Sequence, residues 1–187
     1  MFEKICWVVT GAGHFLGEIS DVLASLRGTR VDLYFTRAGA EVAAKYGLFK
    51  RLETCAEHTF RENDFSSGSA VYFAGGRYEA LVIAPATANT VAKCALGVAD
   101  SLASNFFAQA GKSGVPIIIL PTDAKAEIES TTVSGRKIKI HPRPIDLQRT
   151  EELSRFPGVT AVASPESLRG VLDSAIPNTA RVSGGRS

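Results

Sequence analysis

The chain has few cysteines, no long apolar run and no block of like charge, and each absence argues against a class of protein. Its three cysteines are odd in number and lack CxxC spacing, which is typical of free thiols in a reducing compartment rather than disulfides or a metal site. No stretch approaches the roughly 18 apolar residues of a membrane span. Lysine and arginine are scattered, and the net charge is only +2. We therefore expect a cytoplasmic protein without a signal peptide and without nucleic-acid or membrane partners.

Common catalytic signatures are also missing. The sequence contains neither GxSxG nor GxxxxGK[ST], which argues against a serine hydrolase and a nucleoside triphosphatase. The three histidines, at positions 14, 58 and 141, are too dispersed to predict a zinc site. The sequence thus offers few side chains for proton transfer, whereas its glycine-rich loop, described below, could bind a phosphate. This combination is typical of an enzyme in which a bound cofactor performs the reaction.

The order of apolar segments predicts the fold. With 187 residues, 45% of them hydrophobic, the chain has the size of one α/β domain. Short buried-strand patterns alternate with amphipathic helices, which predicts a single doubly wound, mostly parallel sheet flanked by helices, in the Rossmann-like manner. The domain is expected over 1–176, with a flexible tail at 177–187. The predicted strands are 4–10, 30–36, 80–84, 114–121 and 159–163, with a small hairpin or edge strand at 133–142.

The stretch Ala80–Asn105 is central to the prediction. Ala80–Ala84 reads as a buried parallel strand that Pro85 ends, because proline cannot donate to a ladder. Small and amide residues follow, and the apolar spacing from Val91 to Leu102 predicts one helix, capped by Thr87 or Asn89. Open α/β sheets bind ligands where a strand's carboxyl end meets a helix N-terminus. An ordinary βα turn is the alternative.

Glycines follow the first predicted strand. Gly11, Gly13 and Gly17 match GxGxxG imperfectly, because the third glycine is one residue late. The second strand carries Asp32 near its start and Thr36 at its end, whereas a dinucleotide site needs an acid at the end. The pattern favours a mononucleotide phosphate over NAD. The alternative is that the glycines serve only a tight turn.

The segment APATANTVAKCALGVADSL at 84–102 resembles the PASANT and GxADxL segments of the FMN-binding flavoprotein family, which includes phosphopantothenoylcysteine and lantibiotic-peptide cysteine decarboxylases. The resemblance implies FMN as the cofactor. It assigns the phosphate to Thr10, Gly11, Gly13, His14 and Thr36. It places Pro85, Ala86, Thr87, Ala88 and Asn89 along the isoalloxazine and ribityl chain, and Asp100 and Ser101 where the site is completed. Ala12 and Thr90, in the same loops, join the predicted cofactor-binding set.

A second resemblance covers more of the chain. TGAGHFL at 10–16, KYGL at 45–48, IHPRPIDLQRTEEL at 140–153 and VASPESL at 162–168 are similar to archaeal-type flavoproteins and bacterial dihydromethanopterin reductases. This branch implies hydride transfer from flavin N5 to a dihydropterin, with NADH or NADPH as a candidate electron donor. It also implies a homo-oligomer, trimer-based or larger. The alternatives are a decarboxylase of a cysteine-derived or aromatic acid and an electron-transfer flavoprotein without its own substrate. Residues 121–125 lack the PxMN-like segment of the decarboxylases.

Several side chains keep two interpretations. His58, in the irregular stretch 48–76, is the predicted proton donor, with His141 as the other candidate, although a histidine in such a stretch is more often a solvated surface residue. One group of aromatic residues is predicted either to stack on the ligand or to form core: Tyr72, Phe73, Phe106 and Phe107. One group of basic residues is predicted either to meet an anionic substrate tail or to form a solvated hairpin: Lys125, Arg136, Lys137 and Lys139.

Overall fold

The computed structural model describes residues 2–62 and 70–175. Six parallel strands form one sheet in the order β3-β2-β1-β4-β5-β8, and two antiparallel strands form a separate hairpin. The strands are β1 (Lys4–Val9), β2 (Arg30–Phe35), β3 (His58–Arg61), β4 (Ala80–Ala86), β5 (Ile117–Pro121), β6 (Ile128–Thr131), β7 (Lys137–Ile140) and β8 (Val159–Ala161). The helices are α1 (Leu16–Ser25), α2 (Arg37–Lys45), α3 (Phe49–Glu53), α4 (Ala70–Ala74), α5 (Ala88–Ala95), α6 (Leu102–Lys112), α7 (Pro144–Ser154) and α8 (Pro165–Ala175).

The central strands are apolar on both faces because helices cover both sides of the sheet. β4 is buried along its whole length, and β1 is buried after its first residue. One core cluster contains Trp7 and Leu16, and the other contains Tyr34 and Phe106. The doubly wound prediction is confirmed. The chain runs outward from β1 in one direction and from β4 in the other, so the crevice at their carboxyl ends is the topological switch point.

The predicted end of β4, at Ala84, is two residues earlier than the observed end. The strand includes Pro85 and continues to Ala86, which is paired with Pro121, and the Ala84–Pro85 bond is cis. The register with β5 shifts between Ile83 and Ala86. A proline is tolerated at such an irregularity because the ladder needs no N–H donor there.

The single helix predicted after Asn89 is two helices. α5 ends at Ala95, and Gly97 has a φ of +71°, a conformation that favours glycine. α6 then begins with a capping box in which the hydroxyls of Ser101 and Ser104 each accept a backbone N–H. One helix was predicted because the helical spacing of apolar residues continues across this break, which Gly97 and the Ser101 cap mark.

Outside the central strands, two predictions needed completing or correcting. The irregular stretch 48–76 contains an edge strand, β3, that the sequence pattern missed. The region 133–142 belongs to a hairpin, with Gly135 in its turn at a φ of +81°, but its first strand lies earlier, at Ile128–Thr131. The predicted tail at 177–187 lies outside the described residues. In the described ranges, no helix is both long and apolar enough to cross a bilayer.

The aromatic residues proposed as a stacking surface belong to the core. Phe73, Phe106 and Phe107 are buried in the second cluster, and Tyr72 packs against it. The rings of Phe73 and Phe106 meet edge to face at 5.5 Å between centroids. The core interpretation therefore holds for this group.

Candidate active site

Three helices direct their N-termini into one cavity at the carboxyl end of the sheet. Thr36, Thr87 and Ser101 are the N-cap residues of α2, α5 and α6, and each hydroxyl accepts a backbone N–H from the first turn of its helix. The cavity has a volume of about 580 Å³. Its other lining residues are Thr10, Gly11, Arg37, Ala38, Glu41, Glu62, Asn89 and Thr90. Helix N-termini carry partial positive charge and spare N–H donors, so this cavity, the N-terminal cavity, suits an anion.

A carboxylate of the chain already bridges two of these helices. Glu62 Oε2 accepts the backbone N–H of Arg37 at 2.8 Å, and Oε1 accepts that of Leu102 at 2.9 Å. Arg37 and Leu102 are the first residues of α2 and α6. The donors at this point therefore accommodate an oxyanion with two bound oxygens, which is the recognition chemistry that a phosphate needs.

Thr10 ties the two central strands together beside this cavity. Its hydroxyl donates to the carbonyl of Pro85 at 2.8 Å and accepts the backbone N–H of Thr87 at 3.0 Å. Because its single hydroxyl proton is used within the protein, Thr10 contributes by holding the β4–α5 loop in place.

Gly11 and Gly13 are required by close packing. A Cβ on Gly11 would lie 2.6 Å from the Cβ of Ala38, and one on Gly13 would lie 2.4 Å from the hydroxyl of Tyr46. A Cβ on Gly17 would meet nothing within 4 Å. The first two glycines therefore allow the β1–α1 loop to approach α2 and Tyr46, whereas the imperfectly spaced third glycine does not serve this approach.

A second cavity of about 410 Å³ lies under the β6–β7 hairpin and is here called the hairpin cavity. It shares Gly11 and Thr87 with the N-terminal cavity. Its hairpin side is largely apolar and includes Ile128, Val133, Ile138 and Ile140. Tyr46 donates a hydrogen bond to the carbonyl of Thr131 at 2.9 Å and so joins the end of α2 to the hairpin. An apolar cleft with few polar groups suits a flat ring system.

The polar side of the hairpin cavity comes from two loops. His14 lies after β1, and Thr122 and Asp123 lie after β5. The Thr122 hydroxyl donates to Asp123 Oδ2 at 2.7 Å. Burial lowers the pKa of His14, while the nearby carboxylates of Glu18 and Asp123 act in the opposite direction.

The structure brings most predicted cofactor residues to these two adjoining cavities. The N-terminal cavity collects Thr10, Gly11, Thr36, Thr87, Asn89, Thr90 and Ser101. The hairpin cavity collects Gly11, Ala12, Gly13, His14 and Thr87. The remaining members are neighbours in the chain: Pro85 and Ala86 end β4, Ala88 begins α5, and Asp100 forms an ion pair with Lys93 at 2.7 Å. The residues predicted to bind the phosphate are thus divided between the two cavities, and His14 lines the hairpin cavity.

His58 is not brought to either cavity. It begins β3, and its Nδ1 lies 3.0 Å from Oδ1 of the fully buried Asp32. Asp32 precedes Thr36 by four residues, so it is roughly 13 Å from that end of the strand at about 3.3 Å per residue. The proton-donor role of His58 stays a prediction that this placement does not favour.

Asp32 is the centre of a buried charge network. Besides His58, its carboxylate contacts Lys4 Nζ at 3.0 Å, Arg77 Nη2 at 3.1 Å and the Tyr78 hydroxyl at 2.7 Å. Burial by itself raises the pKa of Asp32, but the hydrogen bonds, that from Tyr78 foremost, outweigh burial and hold the pKa below its usual value. The network stabilises the amino-end half of the sheet, away from the cavities.

Several residues that line the two cavities were not predicted from the sequence. Tyr46, Glu62, Thr122 and Asp123 line the cavities without having been proposed as site residues. Thr122 and Asp123 directly follow a buried strand, a position that could have marked them. Glu62 carries no such signal, because its two backbone partners are distant in sequence.

Comparisons with known proteins agree with this architecture. The sequence pattern of the family described as Flavoprotein matches residues 2–182. A dihydromethanopterin reductase (acceptor) of Methanosarcina mazei is 41% identical over 140 residues, which is 69% of this chain but only 59% of the reductase. DmrB of Burkholderia xenovorans, crystallised with FMN as a cubic protein cage for redox transfer, has 38% identity and a TM-score of 0.79, with 92% of this chain and 94% of DmrB covered.

A comparison with a more distant protein shows similarity of the fold alone. TvaF, an FMN-dependent cysteine decarboxylase from thioviridamide biosynthesis, has 20% identity and a TM-score of 0.65, with 92% of this chain and 97% of TvaF covered. The match over residues 2–182 covers nearly the whole chain and identifies the family. This chain belongs to the flavoprotein family.

Proposed function

We propose that this flavoprotein, an FMN-dependent oxidoreductase, reduces dihydromethanopterin or a related dihydropterin to the tetrahydro form. The observation that carries the proposal is the junction of an anion-binding cavity with a largely apolar one through Gly11 and Thr87. Support also comes from the 41% identity to a dihydromethanopterin reductase and from the similarity to DmrB. Since the chain spans only 59% of that reductase, the activity of the whole relative is a proposal here.

The residues present fit FMN. Thr36, Thr87 and Ser101 cap the helices whose N-termini would hold the phosphate. The Glu62 carboxylate shows that backbone N–H groups at two of these N-termini donate hydrogen bonds to the oxygens of an anion. Bound FMN supplies hydride transfer, the redox chemistry that the side chains lack. The chain binds the cofactor, excludes water with its hairpin and orients the second ring system.

We propose that the enzyme works as a homo-oligomer, trimer-based or larger, and that NADH or NADPH supplies electrons. Leu96 and Val98 in the α5–α6 loop are 58% and 42% exposed, and they precede Ser101 of the N-terminal cavity. Large apolar side chains that remain exposed beside a site are suited to contact with another subunit. DmrB, described as a cubic cage, gives this assembly its precedent.

The test of function is an anaerobic half-reaction. The purified protein is loaded with FMN, reduced, and mixed with dihydromethanopterin or a dihydrofolate analogue. We expect the oxidised flavin band to return as tetrahydropterin forms. A protein that binds FMN but whose reduced flavin is not reoxidised by pterins would contradict the proposed substrate. Release of carbon dioxide from a cysteine-derived acid would show instead that the protein is a decarboxylase.

Glu62 gives a prediction about cofactor affinity. Replacing Glu62 with Gln should tighten FMN binding by about tenfold, or about 1.4 kcal/mol, because a negative charge next to the phosphate is removed. Riboflavin, which has no phosphate, should bind Glu62→Gln and wild type equally. Fluorescence titration of the flavin-free protein measures both affinities.

Glu41→Gln is the matched control for this prediction. Glu41 lines the same cavity, but its carboxylate is exposed and pairs with the Arg37 side chain at 3.5 Å instead of bridging helix N-termini. An equal gain of FMN affinity in both variants would show a general charge effect, and no gain in Glu62→Gln would contradict the phosphate position.

A further inference from the structure

We propose that His14, with Asp123 as its charged partner, delivers the proton that reduction of the dihydropterin requires. This inference rests on the proposed function and deepens it by assigning a catalytic and a positioning residue. It moves the proton-donor role from the edge of the sheet to the hairpin cavity.

Reduction of a C=N bond needs both a hydride and a proton. The hydride forms a C–H bond at the pterin carbon, and the π electrons of the C=N bond move to nitrogen, which takes a proton to become N–H. The reduced flavin is the reductant and leaves oxidised, while the pterin gains two electrons and two hydrogens. The acid that gives up the proton becomes its conjugate base and is protonated again from solvent.

Three titratable side chains are among the described residues that line the hairpin cavity: His14, Tyr46 and Asp123. The Tyr46 hydroxyl donates to the carbonyl of Thr131, so its proton is engaged. Asp123 Oδ2 accepts a hydrogen bond from the Thr122 hydroxyl, so this carboxylate serves as an acceptor in the cavity. No residue in the described part of the chain forms a hydrogen bond with the imidazole of His14, which leaves its N–H groups available for a ligand.

The position of His14 also provides a route to solvent. Its side chain lines a smaller cavity of about 210 Å³ as well as the hairpin cavity. Lys125, Glu127 and Glu129 line this smaller cavity, and all three are exposed. A histidine between a ligand cleft and a polar, solvent-facing cavity can give a proton to one side and regain it from the other.

The charges around His14 set the direction of its pH dependence. Burial lowers the pKa of the imidazole, and Glu18 of α1 and Asp123 after β5 raise it. The other titratable groups facing the two cavities are Tyr46 at the end of α2, Lys125, Glu127 and Glu129. Because the proton is given by the imidazolium form, the rate of pterin reduction should rise as pH falls toward the pKa of His14. Asp123 acts through His14 and is therefore a positioning residue.

The experiment compares single-turnover pterin reduction in His14→Gln, His58→Gln and Asp123→Asn, each loaded with FMN. We expect His14→Gln to be slowed by about 100-fold or more, and His58→Gln to match the wild type. In Asp123→Asn the pH profile should shift to lower pH, because a carboxylate that favours the imidazolium is lost. An imidazole titration by NMR on the flavin-free protein should show the same shift of the His14 pKa.

Each outcome decides between the inference and its alternatives. If wild type reduces the pterin and His14→Gln is as fast, the inference fails and the proposed function stands. If wild type reduces no pterin, the function and the inference fail together. If His14→Gln loses FMN affinity but binds riboflavin normally, His14 is a phosphate ligand, as the family resemblance implies, and the proton-donor role is overturned. An unchanged His14 pKa in Asp123→Asn would remove Asp123 from the scheme.

Discussion

Asn89→Leu should purify without flavin while it folds normally. Asn89 is exposed in the first turn of α5 and lines the N-terminal cavity, so the substitution leaves the buried core intact. Leucine places a bulkier apolar side chain among donors that suit an anion and removes an amide that can hydrogen-bond to the cofactor. We expect a loss of flavin affinity of about 100-fold or more, equivalent to about 3 kcal/mol.

Asn105→Leu is the matched control, since it makes the same change at a half-buried position of α6 that does not line the described cavities. The ratio of absorbance at the flavin band to that of the protein measures retention, and circular dichroism with thermal melting measures folding. A full complement of FMN in Asn89→Leu would move the cofactor away from the N-termini of α2, α5 and α6.

Asp32→Asn should cost about 3–5 kcal/mol of unfolding free energy, as expected when one partner of a buried charged network is removed. The carboxylate has no solvent exposure, and its removal takes one ion-pair partner from Arg77 and leaves Lys4 with Glu57, at 3.1 Å. Asp21→Asn is the control, because Asp21 pairs with Arg51 at an exposed position and should change stability by no more than about 1 kcal/mol. Urea titration of both variants measures the difference, and equal midpoints would contradict the network's role.

The pH dependence of the same network has a defined sign. Since the pKa of Asp32 is lower in the folded protein, its ionised form contributes stability that is fully present above the unfolded value of about 3.9. That contribution is lost as pH falls below about 4 and through the folded pKa. The difference in unfolding free energy between wild type and Asp32→Asn should therefore shrink under acid conditions, and a difference that grows there would contradict the assignment.

The buried strands and the first and fourth βα loops could be predicted because their signals are local. An apolar run such as β4 specifies a strand covered on both faces, and the Thr87 cap specifies where the next helix begins. The edge strand β3 escaped prediction because HTFR is short and contains one apolar residue, and it becomes a strand only by pairing with β2. The strand is stabilised by a tertiary contact, its pairing with β2, and a local sequence pattern does not reveal such a contact.

The site was predictable to the same extent. Strand order alone predicts that the loops at 10–14 and 87–90 lie at the crevice, whereas the family resemblance implies the roles of individual residues such as Thr10 and His14. The contributions of Glu62 and Tyr46 depend on contacts with residues 25 or more positions away, at Arg37, Leu102 and Thr131. The partnership of Asp32 with His58 likewise follows from strand register, which the sequence does not display.

The separate hairpin has an evolutionary consequence. β6 and β7 pair with each other and not with the six-stranded sheet, so residues 128–140 can diverge without altering a single central strand pairing. The helix caps at the N-terminal cavity are likewise outside the hairpin. Under the proposed function, exchange of this one segment would change the pocket for the acceptor and leave unchanged the helix caps proposed to hold the cofactor, so substrate specificity and cofactor binding could be inherited separately.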